Sequence, residues 1–452
     1  MAARLIESLA TTELLAEVFS DRSILQAMLD VEVALARAEA RVGIVPESAA
    51  DRIAATAHAD EFDIPALSRS TFRAGTPSIP VVKALTDKIR AIEPEAAGWV
   101  HWGATSQDVA DTALVLLLKR AQTILAGDLR RVEKALITLS EQHKATVMLG
   151  RTLMQAAPPV TFGLKAAGWL GAVSRGNKRL ESAFHETLVL QFGGASGTLA
   201  SLADKGTVIA GALAEELGLS CPEAPWHTHR DRLAHLLCCC GVLTGSLGKI
   251  ARDISLLMQS EVAEVAEPGG EGRGGSSTMP HKRNPIACAL TVAAAQRVPG
   301  LVASFLSAMV QEQERAVGGW QSEWPTVASI VQSTGVAASS MAEVAEGLSV
   351  DPARMRKNIA NTKGLIFAER VMMFLAAELG RDVAHKLLED TIQKSVAENK
   401  DLSTLLAEQP EVKSRLNPSV LDQLQIPEQY LGSAEAFREF LLNSTTSNKG
   451  KH

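Results

Sequence analysis

Apolar residues recur at helical spacing over long stretches of this chain and almost never alternate, which leaves it little to become besides a stack of long helices. Across 249–267, Ile250, Ile254, Leu257, Met258, Val262 and Val265 fall on one helical face. Arg252, Asp253, Glu261 and Glu264 bring charge to the rest, and Pro268 with Gly269 marks the helix end. Similar patterns cover 112–144, 202–219, 231–248 and 285–314. Residues 111–118 are apolar on more than one side, the pattern of a helix buried in a bundle. A hydrophobic content of 46% with only 4% aromatics suits helices packed on helices. The expected fold class is all-α, a long central helical bundle flanked by two smaller helical domains. Gly/Pro breaks place the first domain at 1–107, the long patterns place the bundle at 108–350, and a third helical domain runs over 351–452. Its polar tail, 443–452, is expected to be disordered.

The balance of charge narrows the partners. A net charge of −6, with basic residues spread along the chain, carries no footprint for nucleic acid. No segment reads as long and apolar enough to span a bilayer, because the best stretch, 233–248, is interrupted by His, Thr, Ser and Gly. No signal peptide is visible, and five cysteines, three of them consecutive, form neither a disulfide framework nor a Cys-x-x-Cys metal site. A cytoplasmic protein is expected, without membrane or nucleic-acid partners.

One loop gathers chemistry. Gly275-Ser276-Ser277-Thr278-Met279-Pro280-His281-Lys282-Arg283-Asn284-Pro285 ends a glycine-rich stretch that starts at Pro268. Asn284 suits an N-cap and Pro285 the first helical position. Two serine hydroxyls, a lysine, an arginine and a helix N-terminus thus converge, a set that holds a carboxylate and stabilises negative charge as it develops. The preceding Gly270-Glu271-Gly272-Arg273-Gly274-Gly275 has the letters of a dinucleotide loop, but it follows a helix and leads into no helix, so no such cofactor is expected. Its glycines read instead as a lid. His227, His229 and Asp231 have ligand-like spacing, yet no second cluster completes a metal site, and none is expected.

The loop resembles, almost letter for letter, the signature of the fumarase/aspartase superfamily, Gly-Ser-Ser-x-Met-Pro-x-Lys-x-Asn-Pro. The resemblance implies that Ser276 is the catalytic base, that Lys282 acts with it on the substrate carboxylate, and that Asn284 binds substrate. Two further segments match the adenylosuccinate lyase branch. His101-Trp102-Gly103-Ala104-Thr105-Ser106-Gln107-Asp108 resembles its Thr-Ser-x-Asp segment, with Thr105 and Ser106 as a carboxylate cradle and His101 beside them. Gly150-Arg151-Thr152-Leu153-Met154-Gln155-Ala156 resembles its Arg-Thr-His-x-Gln-x-Ala segment, with Arg151 and Gln155 implied to bind substrate. Leu153 stands where those lyases place a general-acid histidine.

Other blocks are similar to a lactone-forming branch of the superfamily, among them Trp226-His227-Thr228-His229-Arg230-Asp231 and Gly318-Gly319-Trp320-Gln321-Ser322-Glu323-Trp324. They add His229, Arg230, Arg315 and Trp320 to the implied substrate contacts. Nucleotide-binding lyases follow the Glu-Arg pair with a serine and an arginine for the phosphate, whereas here Glu314-Arg315 is followed at those places by Trp320 and Trp324. Indoles do not grip a dianionic phosphate. A carboxylate, with an ordinary pKa of about 4, attacks or leaves without proton help near neutral pH. A leucine at position 153 is therefore expected of a lactone-forming enzyme and is a defect in an amine lyase. The implied substrate is a small tricarboxylate, met by cations such as Arg151, Arg230, Lys282 and Arg315, with no metal or cofactor. Family members are homotetramers with shared sites, which implies that Thr105 with Ser106, Gln155, and Ser276 with Lys282 meet from different chains.

Overall fold

The computed structural model describes residues 5–269, 274–275, 279, 282–415 and 417–446. Its long elements are the helices Asp21–Arg41, Ser106–Gln142, Phe162–Thr187, Asp231–Leu257, Ile286–Ala308 and Gly319–Gly347. Strands among the described residues are confined to two small antiparallel pairs, so the chain is all-α in class. Tertiary contacts divide it into two compact units. One takes the chain up to Arg130 together with Arg175–Lys249 and Leu290–Ser340; the other takes Arg131–Ser174, Ile250–Ala289 and everything from Met341 on.

In the first unit, Ser20 accepts a hydrogen bond from the Ser23 N–H at 3.1 Å and starts helix Asp21–Arg41. Ala34, Leu35 and Ala38 of that helix pack against Leu190, Phe192, Leu199, Leu202, Ile209 and Leu213. Residues 107–118 at the start of helix Ser106–Gln142 are buried throughout. Their all-round apolarity is therefore satisfied inside their own chain and needs no partner subunit.

Two helices correct the membrane expectation. Asp231–Leu257 and Ile286–Ala308 are each long and apolar enough to cross a bilayer by length and composition, with mean hydropathy 1.5. Their Gly, Ala, Ser and Thr residues interrupt the pattern by eye but barely lower the mean. The most apolar window of the first is 61% buried within the chain, as in a bundle core, whereas that of the second is only 28% buried.

The second unit corrects three more readings. The helix expected to reach residue 267 stops at Leu257. Arg354 and Asn358 donate to the carbonyls of Glu261 and Val262, and Val265–Ala266 pairs with Ser349–Val350. Tertiary hydrogen bonds here outweigh an amphipathic pattern. The second is an unforeseen hairpin of Val147–Thr152 and Gln155–Thr161, short and bulged at Leu149/Gly150. Third, the C-terminal helix Ala434–Thr446 takes in the start of the tail expected to be disordered. Arg438 ties that helix down, donating to Glu141 at 2.8 Å and to Glu435 at 2.7 Å.

Candidate active site

The first turn of helix Ser106–Gln142 is organised by one carboxylate. Asp108 reaches back to accept the Thr105 N–H at 3.0 Å, the geometry by which an acidic side chain closes a helix start. It also accepts from Gly193 N (3.0 Å), Gly194 N (2.9 Å), Gln191 Nε2 (3.3 Å) and His227 Nε2 (2.7 Å). Five donors on one buried carboxylate fix three chain segments against each other. Close approach demands glycine here: a Cβ on Gly193 would lie 2.7 Å from Pro225 Cβ and 2.9 Å from His227 Cε1. Gly103, at φ +74°, would meet Leu202 at 2.7 Å and could not carry a side chain without strain.

One turn further in lies a second buried cluster. Arg230 donates to both oxygens of Asp111 (2.8 and 3.0 Å) and to both of Glu323 (down to 2.5 Å). Trp320 Nε1 donates to Asp111 at 3.0 Å, Gln311 Nε2 to Glu323 at 2.6 Å, and the Arg230 guanidinium stacks 4.7 Å over the Trp226 ring. Burial alone would push the Arg230 pKa down, but the two carboxylates outweigh it and hold the guanidinium charged. The same burial raises Glu323 in spite of Arg230. This corrects two expectations. Arg230 is fully enclosed with its positive charge taken up by protein carboxylates, and Trp320 is buried with its N–H occupied. In this structure both hold their neighbours in position, with their polar groups taken up by protein partners.

What they position is a cradle. Arg315 donates to Thr105 Oγ1 at 2.5 Å and reaches Ser106 Oγ at 3.3 Å. Ser78 Oγ fixes the Ser106 carbonyl at 2.7 Å, and Thr228 Oγ1 fixes the Gln313 carbonyl at 2.8 Å on the loop that carries Arg315. A half-buried guanidinium, two hydroxyls and the positive end of a 37-residue helix can hold one carboxylate. His101, at φ +61°, sits four residues before Thr105 and meets Glu32 through Nδ1 at 2.7 Å. Burial draws its pKa down, yet Glu32 and then Asp108 outweigh that and leave it raised above the ordinary histidine value. His229 is exposed. A cavity of about 500 Å³ in this unit, lined by Phe19, Leu25, Met28, Leu114 and Trp324, carries Asp21 and no lysine or arginine, so it does not suit a polyanion.

The other implied contacts belong to the second unit. Arg151 makes a two-pronged pair with the buried Glu264 (3.0 and 2.8 Å), to which Asn358 also donates at 2.8 Å. Its guanidinium therefore anchors the hairpin. Gln155 and Lys282 are exposed, and Ser276 lies outside the described residues. Asn284 is not the N-cap, because the helix begins at Ile286. The N–H groups there are also occupied: Ile286 donates to the Asn284 carbonyl, and Ala287 and Cys288 donate to Glu267 at 3.2 and 2.8 Å. That helix end is closed by a protein carboxylate and does not offer itself to a substrate. Among the described residues no group of His, Cys, Asp and Glu side chains is placed to hold a metal ion.

Comparison with known proteins finds similarity over most of the chain. A family model described as lyase matches residues 8–300, and one described as adenylosuccinate lyase C-terminus matches residues 364–439. A 3-carboxy-cis,cis-muconate cycloisomerase of Bradyrhizobium diazoefficiens is 49% identical over 424 residues, covering 94% of this chain and 94% of its own length. Another, of Pseudomonas aeruginosa, is 49% identical over 93% of this chain and 92% of its own. The crystal structure of a 3-carboxy-cis,cis-muconate lactonizing enzyme from Pseudomonas putida has a TM-score of 0.94 at 46% identity, covering 99% of this chain and all of that one. The chain therefore belongs to the lyase family, with the all-α fold of the fumarase/aspartase superfamily.

Proposed function

We propose that this protein is a cycloisomerase that converts 3-carboxy-cis,cis-muconate to 4-carboxymuconolactone, the lactone-forming step of the protocatechuate branch of the β-ketoadipate pathway. The observation that carries the reading is Leu153: where amine-expelling members of the family hold a proton donor, this chain presents a leucine that is 97% exposed. Full-length similarity to cycloisomerases supports it.

In this reaction a carboxylate oxygen of the substrate adds to a double bond. A C–O bond forms, and the alkene electron pair moves onto the neighbouring carboxylate as an aci-carboxylate. The α carbon then takes a proton, so a trianion plus one proton becomes a dianion. The nucleophile has no proton to lose, and no general base has to activate it. The developing dianion needs donors placed in advance. Arg315 with Thr105 and Ser106 supplies one such set, and Lys282 supplies a second cation. In this proposal Ser276 carries the proton to the α carbon, and Gln155, Asn284 and His101 orient the substrate.

The C-terminal match bears the name of adenylosuccinate lyase, but Trp320, whose N–H is taken by Asp111, and Trp324 stand where nucleotide-binding lyases carry a serine and an arginine for the phosphate. A nucleotide substrate is disfavoured. The apolar, largely unburied Ile286–Ala308 helix suits burial against other copies of the chain, and we propose a homotetramer in which the three segments meet from different subunits. A reducing, cytoplasmic setting suits the five unpaired cysteines. The test is loss of conjugated-diene absorbance when purified protein meets 3-carboxymuconate. Unchanged absorbance sinks the reading, and activity that disappears on dialysis against a strong chelator sinks its metal-independence.

A further inference from the structure

The hairpin that carries Arg151 and Gln155 ends in a turn of unusual composition. Thr152 pairs with Gln155, which leaves Leu153 and Met154 as a two-residue loop, at φ +49° and +66°. Turns of this kind need positive φ at both positions and are therefore filled by Asn-Gly or Asp-Gly. Leucine and methionine are held there against their own backbone preference. The same two side chains are 97% and 69% exposed, so water is set against them as well.

The strain is not slack in a loose loop. Arg151, at the base of the turn, is clamped to the buried Glu264, and Glu264 is held in turn by Asn358. On the same strand as Arg151, a Cβ on Gly150 would lie 2.4 Å from the carbonyl oxygen of Pro158 on the partner strand, so the bulge is closely packed too. A stiff arm therefore carries two apolar side chains beyond the body of its unit, in a conformation that a commoner residue pair would adopt freely. Backbone outliers that the surroundings enforce in this way concentrate at functional sites.

We propose that Leu153 and Met154 are specificity-determining contacts: a rigid apolar wall that meets the reacting face of the substrate in the assembled site. This inference rests on the proposed cycloisomerase function. An apolar wall offers the attacking carboxylate no proton and strips water from it, which favours C–O bond formation by a bare carboxylate. It equally bars substrates whose leaving group has to be protonated. A polar turn would place donors and water at that point and lose both effects.

Three variants test this, with assembly followed by sedimentation velocity. The double variant Leu153→Asn/Met154→Gly relieves the strain, and its thermal midpoint should rise by about 1–3 °C. Its kcat/KM for 3-carboxymuconate should fall at least tenfold with assembly unchanged. Leu153→Ala keeps the strained backbone, so its midpoint should not rise, yet kcat/KM should fall to a similar degree. Leu153→Met keeps an apolar side chain of similar volume and should retain at least half of the wild-type rate. A double variant that is as active as wild type overturns the inference, as does one that gains no thermal stability. Loss of activity that tracks loss of assembly would make the turn a subunit contact and would also overturn it. Wild-type protein with no turnover of 3-carboxymuconate overturns the functional reading itself, which separates that failure from failure of the turn.

Discussion

Glu39 should destabilise this fold, and replacing it should stabilise the protein in a way that depends on pH. The side chain lies on helix Asp21–Arg41, is fully buried, and neither carboxylate oxygen has a hydrogen-bond partner. Burial first, and the nearby Glu32 second, push its pKa from an ordinary 4.5 up to about 8. A group raised on folding contributes stability that is complete below the unfolded value and is lost as pH climbs through the folded one. The interval from 4.5 to about 8 corresponds to roughly 5 kcal/mol. Glu39→Met has a similar length and no charge, so its advantage over wild type should grow from small at pH 5 to most of that amount at pH 8.5. At about 2.1 cal/mol/K of unfolding entropy per residue, the 452-residue chain should show a midpoint gap of about 5 °C. Differential scanning across that pH range measures it. Glu39→Gln provides the control: it should flatten the pH slope but keep an unpaired polar head, and so gain less at every pH. A gap that is equal at pH 5 and 8.5, or a wild type that melts above Glu39→Met at alkaline pH, would mean that Glu39 carries no such burial cost.

Other perturbations address the site. Arg315→Ala removes the guanidinium that meets Thr105 and Ser106, and kcat/KM should fall by about 10–10²-fold, the weight of charge-assisted hydrogen bonds. Arg315→Lys should recover only part of it, and an alanine variant within twofold of wild type would take Arg315 out of the cradle. Arg230→Met leaves Asp111 and Glu323 facing each other in the interior and should cost about 3–5 kcal/mol, read as a lower thermal midpoint. If that variant instead keeps its stability while KM alone rises, Arg230 touches substrate and the positioning role is wrong. Mixing Ser276→Ala with Gln155→Ala protein should restore part of the activity through hybrid tetramers. No recovery despite demonstrated subunit exchange contradicts sites shared between chains.

Much of the architecture could be read from spacing alone. The pattern at 112–144 appears as the later part of helix Ser106–Gln142, and the patterns at 231–248 and 285–314 as Asp231–Leu257 and Ile286–Ala308. The failures share a cause. Residues 258–267 keep helical periodicity, but their carbonyls are claimed by Arg354 and Asn358, which lie far away in sequence. Nothing local to Ile286 reveals that Glu267 closes the helix end. The hairpin was hidden because the turn residues Leu153 and Met154 contradict the turn they form. For the site, the hydroxyls of Thr105 and Ser106 could be placed before a helix and Arg315 came from the resemblance; the structure brings the three together, whereas the status of Arg230 depended on partners that only folding supplies. A signal for that pairing was present: Asp111 stands alone in a strongly apolar run, where an acid is retained only if something answers its charge. Asp108 could likewise have been recognised from its place three residues after Thr105. Ser276, the implied proton carrier, lies outside the described residues, and its role rests on sequence resemblance and on the tests above.

In the proposed reaction a carboxylate adds to an alkene to form a ring, and the α carbon is then protonated. Proton NMR of the reaction of 3-carboxymuconate in D₂O tests it most directly. The expected result is a single lactone product that carries one deuterium at the α carbon, formed with uptake of one proton equivalent from solvent. An open-chain product, a lactone without solvent-derived hydrogen at that carbon, or no reaction alongside turnover of an amine-bearing succinate would contradict it.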